Sequence, residues 1–149
     1  MADSPRLLTD LTAAASLRLL GSISLGRIVF TAHALPTIRP VNHIVDDGTI
    51  IIRSHLGAAI VSAAQAPNGV VVAYEADTID LADHLGWSVI VIGLAQQVTD
   101  PAEIRRYQGL LRPWVAGRMD YVIRIRPELV TGFRLTSGEG SDASASARL

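Results

Sequence analysis

Asp46, Asp47 and Gly48 separate two apolar, strand-like runs, Thr37–Val45 and Thr49–Ser54. Asp-Gly accepts the left-handed backbone that tight hairpin turns require, so this junction commits the middle of the chain to antiparallel pairing. Two registers satisfy it. A three-residue loop pairs Val41 with Arg53 and aligns Arg39, His43, Arg53 and His55 on one face. A two-residue Asp-Gly turn pairs Asn42 with Arg53 and splits that set, because successive strand residues face opposite ways.

The flanking segments continue the strand chemistry. Gly26–Ala32, Val70–Ala76, Trp87–Thr99, Tyr121–Arg126 and Leu129–Leu135 are rich in Val and Ile or alternate apolar with polar residues. Leu8, Leu11, Ala15 and Leu19 recur at helical spacing, which predicts a helix over Leu7–Leu20 capped by Thr9 or Asp10 and ended by Gly21. Ala58–Gln65 predicts a short helix, and Asp100-Pro101 opens another. Asp77–Leu85 and Leu111–Gly117, which holds Trp114, read as loops, and Arg105, Arg106 and Tyr107 as one exposed helix face. The fold class is α+β and mainly β: a six- or seven-stranded antiparallel barrel with helices outside it. Residues 1–136 form one domain, and the small polar residues 137–149 predict a disordered tail.

Composition removes several function classes. The 149 residues carry a net charge of −1, so no general attraction to nucleic acid or anionic membrane is expected. No apolar run approaches the roughly 20 residues of a membrane helix, and the N-terminus has no signal-peptide pattern, which predicts a cytoplasmic protein. There is no cysteine, and all 13 basic residues are Arg, so thiolate and Schiff-base chemistry are excluded. His33, His43, His55 and His84 lack metal-ligand spacing, so no metal is expected. Ser88 sits in GWSV rather than in a nucleophile elbow, and no Gly-rich phosphate loop is present. With 49% hydrophobic residues, the surplus apolar surface suits a subunit interface or a ligand cavity.

One anion-binding pattern stands out. Arg53, Ser54, His55, Leu56 and Gly57 lead into the expected helix, whose first N–H groups would complement an Arg and a hydroxyl around a phosphate. An ordinary strand-to-helix turn, with Arg39 and Arg53 solvated outside the barrel, fits the same spacing.

From Gly26 to Leu135 the chain resembles the pyridoxamine 5′-phosphate oxidase-like family. The resemblance lies in GRIVFTA, PVNHIVDDGTIIIRSHLG, VVVAYEAD, GWSVIVIGLAQQVTDPAE, LRPWVAG and YVIRIRPELVTGFRL, taken in order. It implies a split barrel that forms a homodimer with FMN at the subunit interface, acting as a flavin-dependent oxidoreductase on a small-molecule substrate or electron donor. Val41, Asn42 and His43 would border the flavin ring or ribityl chain, and Arg53 and Ser54 its phosphate. Trp87 and Ser88 would approach from the second subunit, and Trp114 would help close the pocket. Ala59 stands where the family usually has a phosphate-pairing Lys. Arg53, His55, Arg39 or an Arg of the second subunit would have to replace it. The same cleft could instead hold a deazaflavin, or a haem with His43 or His55 as axial ligand, or the dimer could be a cofactor-free binding module. No residue is singled out as a catalytic acid or base.

Overall fold

The computed structural model describes residues 5–54, 60, 62, 64–111 and 121–138. Its elements in chain order are β1 (Arg6–Leu11), α1 (Ala13–Gly21), β2 (Leu25–Ala32), β3 (Leu35–Asp46), β4 (Thr49–Ser54), β5 (Val70–Ile79), β6 (Gly86–Gln97), α2 (Pro101–Leu110) and β7 (Tyr121–Ser137). The sheet order is β1-β7-β4-β3-β2-β5-β6, and β6 returns to β7. Six strands therefore close a ring, and β1 adds to the outer edge of β7. Every pairing is antiparallel. This is the antiparallel barrel that the strand pattern predicts, in the split form that the family resemblance implies.

The hairpin takes the two-residue turn. Asp46 pairs with Thr49, and Asp47 and Gly48 between them have φ of 50° and 74°. Two left-handed residues in succession give the turn whose twist matches that of the flanking strands. The alternative that aligned Arg39 and His43 with Arg53 is thereby ruled out.

Other expectations are corrected, among them the loop from Asp77, whose first three residues continue β5 to Ile79. Arg6–Leu11 is a strand, not the first half of a helix. Thr12 is extended (φ −66°, ψ 160°), and its side chain accepts the Ala15 N–H at 3.1 Å, so the helix begins at Ala13. The preceding leucines share helical spacing with α1, yet they pair with Gly132–Ser137, an edge of β7 that β4 leaves open. At the other end of the chain, the two expected strands are one. β7 runs through Pro127 because Glu128 is an extra residue: Gly93 pairs with Pro127 and Ile92 with Leu129. The strand continues to Ser137, and the tail from 139 lies outside the described residues, as do His55–Ala59 and Trp114.

The core fills the ring. Ile28, Ile50, Ile52, Tyr74, Val89, Val91, Ile123 and Ile125 are fully buried there, with Leu20 of α1 across one end. α1 sits directly on the sheet, since a Cβ on Gly132 would lie 2.2 Å from Ser16 Oγ. A smaller cluster outside the ring packs α2 through Tyr107 and Leu111 against Ile51, Val98 and Val122. Tyr107 is thus buried rather than exposed, and its hydroxyl donates to Asp46 at 2.7 Å. Arg106 clasps the same carboxylate through two bonds, of 2.9 and 3.2 Å. These partners, Arg106 first, hold Asp46 below the usual carboxylate range and tie the hairpin to α2.

Candidate functional site

The barrel opens between β3 and β4. The two strands pair only from His43 to Asp46 and from Thr49 to Ile52. Before that point β3 pairs with β2 alone, and beyond it Arg53 and Ser54 pair with Val122 and Tyr121 of β7 alone. The strands diverge at the step where Asn42 and Arg53 would otherwise face each other.

At this lip Arg53 is half-buried on the outer side. Its Nη1 donates to Leu111 O at 2.9 Å and to Gln108 O at 3.3 Å. These carbonyls end α2, where a helix presents its negative pole, so the guanidinium is held in place by the helix it caps. Arg39 is exposed, and its Nη1 donates to Ile38 O at 3.1 Å. Asn42 is half-buried, and the Ser54 side chain lies outside the described residues.

His43 points the other way. Its ring is 1% exposed, with Nε2 2.8 Å from Leu20 O and Nδ1 2.6 Å from Tyr74 Oη. A carbonyl only accepts, so Nε2 carries the proton and the Tyr74 hydroxyl donates to Nδ1. Burial holds the imidazole below its ordinary value of 6.5, outweighing the carbonyls of Leu20 and Ile23. Burial likewise raises the Tyr74 phenol. Gly26 makes room for this ring, since a Cβ there would lie 2.5 Å from Tyr74 Oη. Val41 and His43 thus face the core, while Asn42 and Arg53 face outward.

β6 divides in the same way. Trp87 points inward and is 6% exposed; Ser88 points outward, opposite Asp77 on one side and Phe133 on the other. The eight residues suggested by the sequence therefore form an inner set (Val41, His43, Trp87), an outer set (Asn42, Arg53, Ser88) and exposed Arg39, apart from Ser54.

The outer face has a feature the sequence reading did not isolate. The register aligns Ile38, Val29, Ala73, Ile92 and Leu129 in one row across five strands. Val71, 60% exposed, and Ile90, 39% exposed, flank it. Recognising the row requires the β2–β5 pairing and the β7 bulge, neither of which has a local signal. Glu75 lies in the next row between Arg27 and Ile90, with its Oε1 sealed and without a hydrogen-bond partner. Burial, then the Asp77 carboxylate, push its pKa up to about 7 against the opposing pull of Arg27. Arg27 Nη1 stands 3.3 Å from Glu75 Oε2.

A family model described as pyridoxamine 5′-phosphate oxidase matches residues 12–134, from the cap of α1 to the last turn of the β7 ladder. The chain belongs to this family. An uncharacterized protein of Mycobacterium tuberculosis is 51% identical over 137 residues, which cover 91% of this chain and 90% of that one. A Corynebacterium glutamicum structure, described provisionally as a pyridoxamine 5′-phosphate oxidase, shares 34% identity at a TM-score of 0.73, covering 87% of this chain and 99% of its own. The structure of an FAD-binding protein from Mycobacterium smegmatis shares 38% identity at a TM-score of 0.67, covering 85% and 98%. Pyridoxamine 5′-phosphate oxidase-family membership thus spans the whole ring of strands described above. Among the described residues, no helix is long and apolar enough to cross a membrane, and no three metal-ligating side chains gather.

Proposed function

We propose that the protein is a flavin-dependent oxidoreductase that binds FMN, or the FMN portion of FAD, at the lip between β3 and β4 in a homodimer. One observation carries this reading: the ring opens beside Arg53, a guanidinium already oriented by the end of α2. An oriented cation suits a phosphate, because little ordering remains to be done on binding. Arg53 would then serve in place of the family Lys, whose position is Ala59 here. Arg39, Asn42 and Ser54 stand on the neighbouring stretches of β3 and β4, and Val41 and His43 support that strand from the core. The FAD-binding relative at 38% identity supports a flavin as the ligand class.

The apolar row on the outer face is the surface a second copy would cover, and Ser88 and Trp87 lie on the strand that crosses it. A bound flavin would supply hydride or electron transfer, while the protein holds its phosphate and shields its ring. His43 is no proton donor in this scheme, and no axial haem ligand, because both ring nitrogens already serve Tyr74 and Leu20.

A fluorescence-quenching titration tests the phosphate assignment with FMN and FAD in parallel. Arg53→Ala should weaken FMN binding by about ten- to a hundredfold, the worth of one charge-assisted partner. Arg105→Ala, on the exposed face of α2, should leave affinity unchanged. Equal affinities for the two variants would remove Arg53 from the site.

A further inference from the structure

At the end of the barrel away from the hairpin turn, Thr78, Ile79, Asp80, Leu85, Gly86, Trp87 and Arg134 line an open-sided hollow of about 470 Å³, with Thr78, Ile79, Asp80 and Arg134 exposed. That size falls within the roughly 300–1,000 Å³ of small-molecule sites. Arg134 and Trp87 are directly paired across β6 and β7. The bulge at Glu128 reverses the alternation of β7, and so turns Arg134 toward the same side of the sheet as Trp87.

The walls are built in advance. Asp80 Oδ1 accepts the N–H groups of Ala82 and Asp83 at 2.7 and 3.1 Å, and Asp80 N donates to Leu85 O at 2.9 Å. Arg6 Nε fastens the loop from β1 by donating to Asp83 O at 2.7 Å. Gly86 has φ +149°, and a Cβ there would lie 1.7 Å from Thr78 O, so only glycine closes this corner. His84 is held at φ +60°, a conformation that costs free energy and that the loop's bonds impose.

Within these fixed walls two donors lack acceptors. Neither the Arg134 guanidinium nor the Trp87 indole N–H makes a hydrogen bond or ion pair with a described residue. Trp87 is 6% exposed as a residue, but its indole nitrogen is not among the sealed polar atoms, so water or a ligand can reach its N–H. Ile79 and Leu85 supply apolar wall beside these donors. Asp80 adds a negative charge on the rim, which opposes any anion and a dianion about twice as strongly as a monoanion.

We infer that this cavity is a binding site for a small organic carboxylate, with its carboxylate on Arg134 and the Trp87 N–H and its hydrocarbon part against Ile79 and Leu85. The site uses residues of one protomer and requires no flavin.

The test uses the full chain and two probes, benzoate and inorganic phosphate. The indole N–H resonances of Trp87 and Trp114 are followed by NMR, with Trp87→Phe identifying the first. Benzoate should shift the Trp87 resonance saturably and leave Trp114 in place, and phosphate should give no saturable shift. Calorimetry should show benzoate binding about ten- to a hundredfold weaker in Arg134→Gln, and weaker also in Trp87→Phe, which keeps an aromatic side chain but lacks the donor and is smaller than the indole. No saturable response to benzoate, or unchanged affinity in Arg134→Gln, would overturn the site. Phosphate binding tighter than benzoate would overturn its assignment to carboxylates. Benzoate binding by a protein that takes no flavin would sink the flavin reading alone, and flavin binding without benzoate binding would sink this one alone.

Discussion

His43 illustrates how a residue that looks functional in the sequence becomes structural once its neighbours are known. Strand alternation places it with Val41, and both do face the core. Its partners, Leu20 on α1 and Tyr74 on β5, come from distant parts of the chain, and no local pattern announces them. The arrangement is a buried polar chain with each ring nitrogen satisfied, so removing one member exposes the next. Tyr74→Phe leaves Nδ1 of a desolvated imidazole without its donor. It should cost about 1–3 kcal/mol in urea denaturation, and a cost near zero would mean that the Tyr74 hydroxyl does not serve His43. The neutral ring also carries a sign: the unfolded chain takes up a proton below 6.5 that the folded His43 resists, so its contribution is present above that value and fades as pH falls.

Among the elements, the hairpin was the most legible because its signal is local. Asp-Gly between two apolar runs fixes a turn, and the choice between two and three residues waited only on the pairing of Asp46 with Thr49. Gly48 gives a clean measure of that turn. It has φ +74° and nothing within 4 Å of the position a Cβ would take, so Gly48→Ala is opposed by backbone conformation alone. The expected loss is about 1–2 kcal/mol by thermal or chemical denaturation. Stability equal to wild type would contradict the left-handed turn. The Asp100 cap of α2 was legible for the same reason: its side chain accepts the Glu103 N–H at 3.0 Å, three residues on. β1 was not legible, because its leucines continue the helical spacing of α1 and only the open edge of β7 makes them a strand. The bulge at Glu128 was equally hidden. A residue count through Pro127 puts Arg134 on the outside, and one extra residue brings it round to Trp87. The sequence therefore placed the candidate residues on strands that the structure contains and left the distribution of their faces undetermined.

At the scale of the whole molecule, the apolar row from Ile38 to Leu129 and the half-buried Glu75 beside it, with its sealed Oε1, belong to one surface. Glu75 has a folded pKa of about 7 against an ordinary 4.5. The folded state therefore holds a proton that the unfolded chain has released. Stability from this residue is fullest below the lower value, falls as pH rises between the two, and stays low above the higher one. Glu75→Gln removes that loss at the expense of a half-exposed ion pair with Arg27, whose own contribution is small. The melting temperature of the variant relative to wild type should thus be more favourable at about pH 8 than at about pH 5. A difference independent of pH would show that Glu75 is not desolvated. The same surface is the one proposed to meet a second copy, and the lip proposed to hold the flavin opens at the end of β3 that borders it. Sedimentation velocity of the full chain after incubation with FMN, recorded at the flavin's visible absorption band, brings these claims together in one measurement. The flavin should travel with the protein at the mass of two chains. A colourless protein boundary, with the flavin left behind at the rate of a free small molecule, would contradict the flavoprotein assignment.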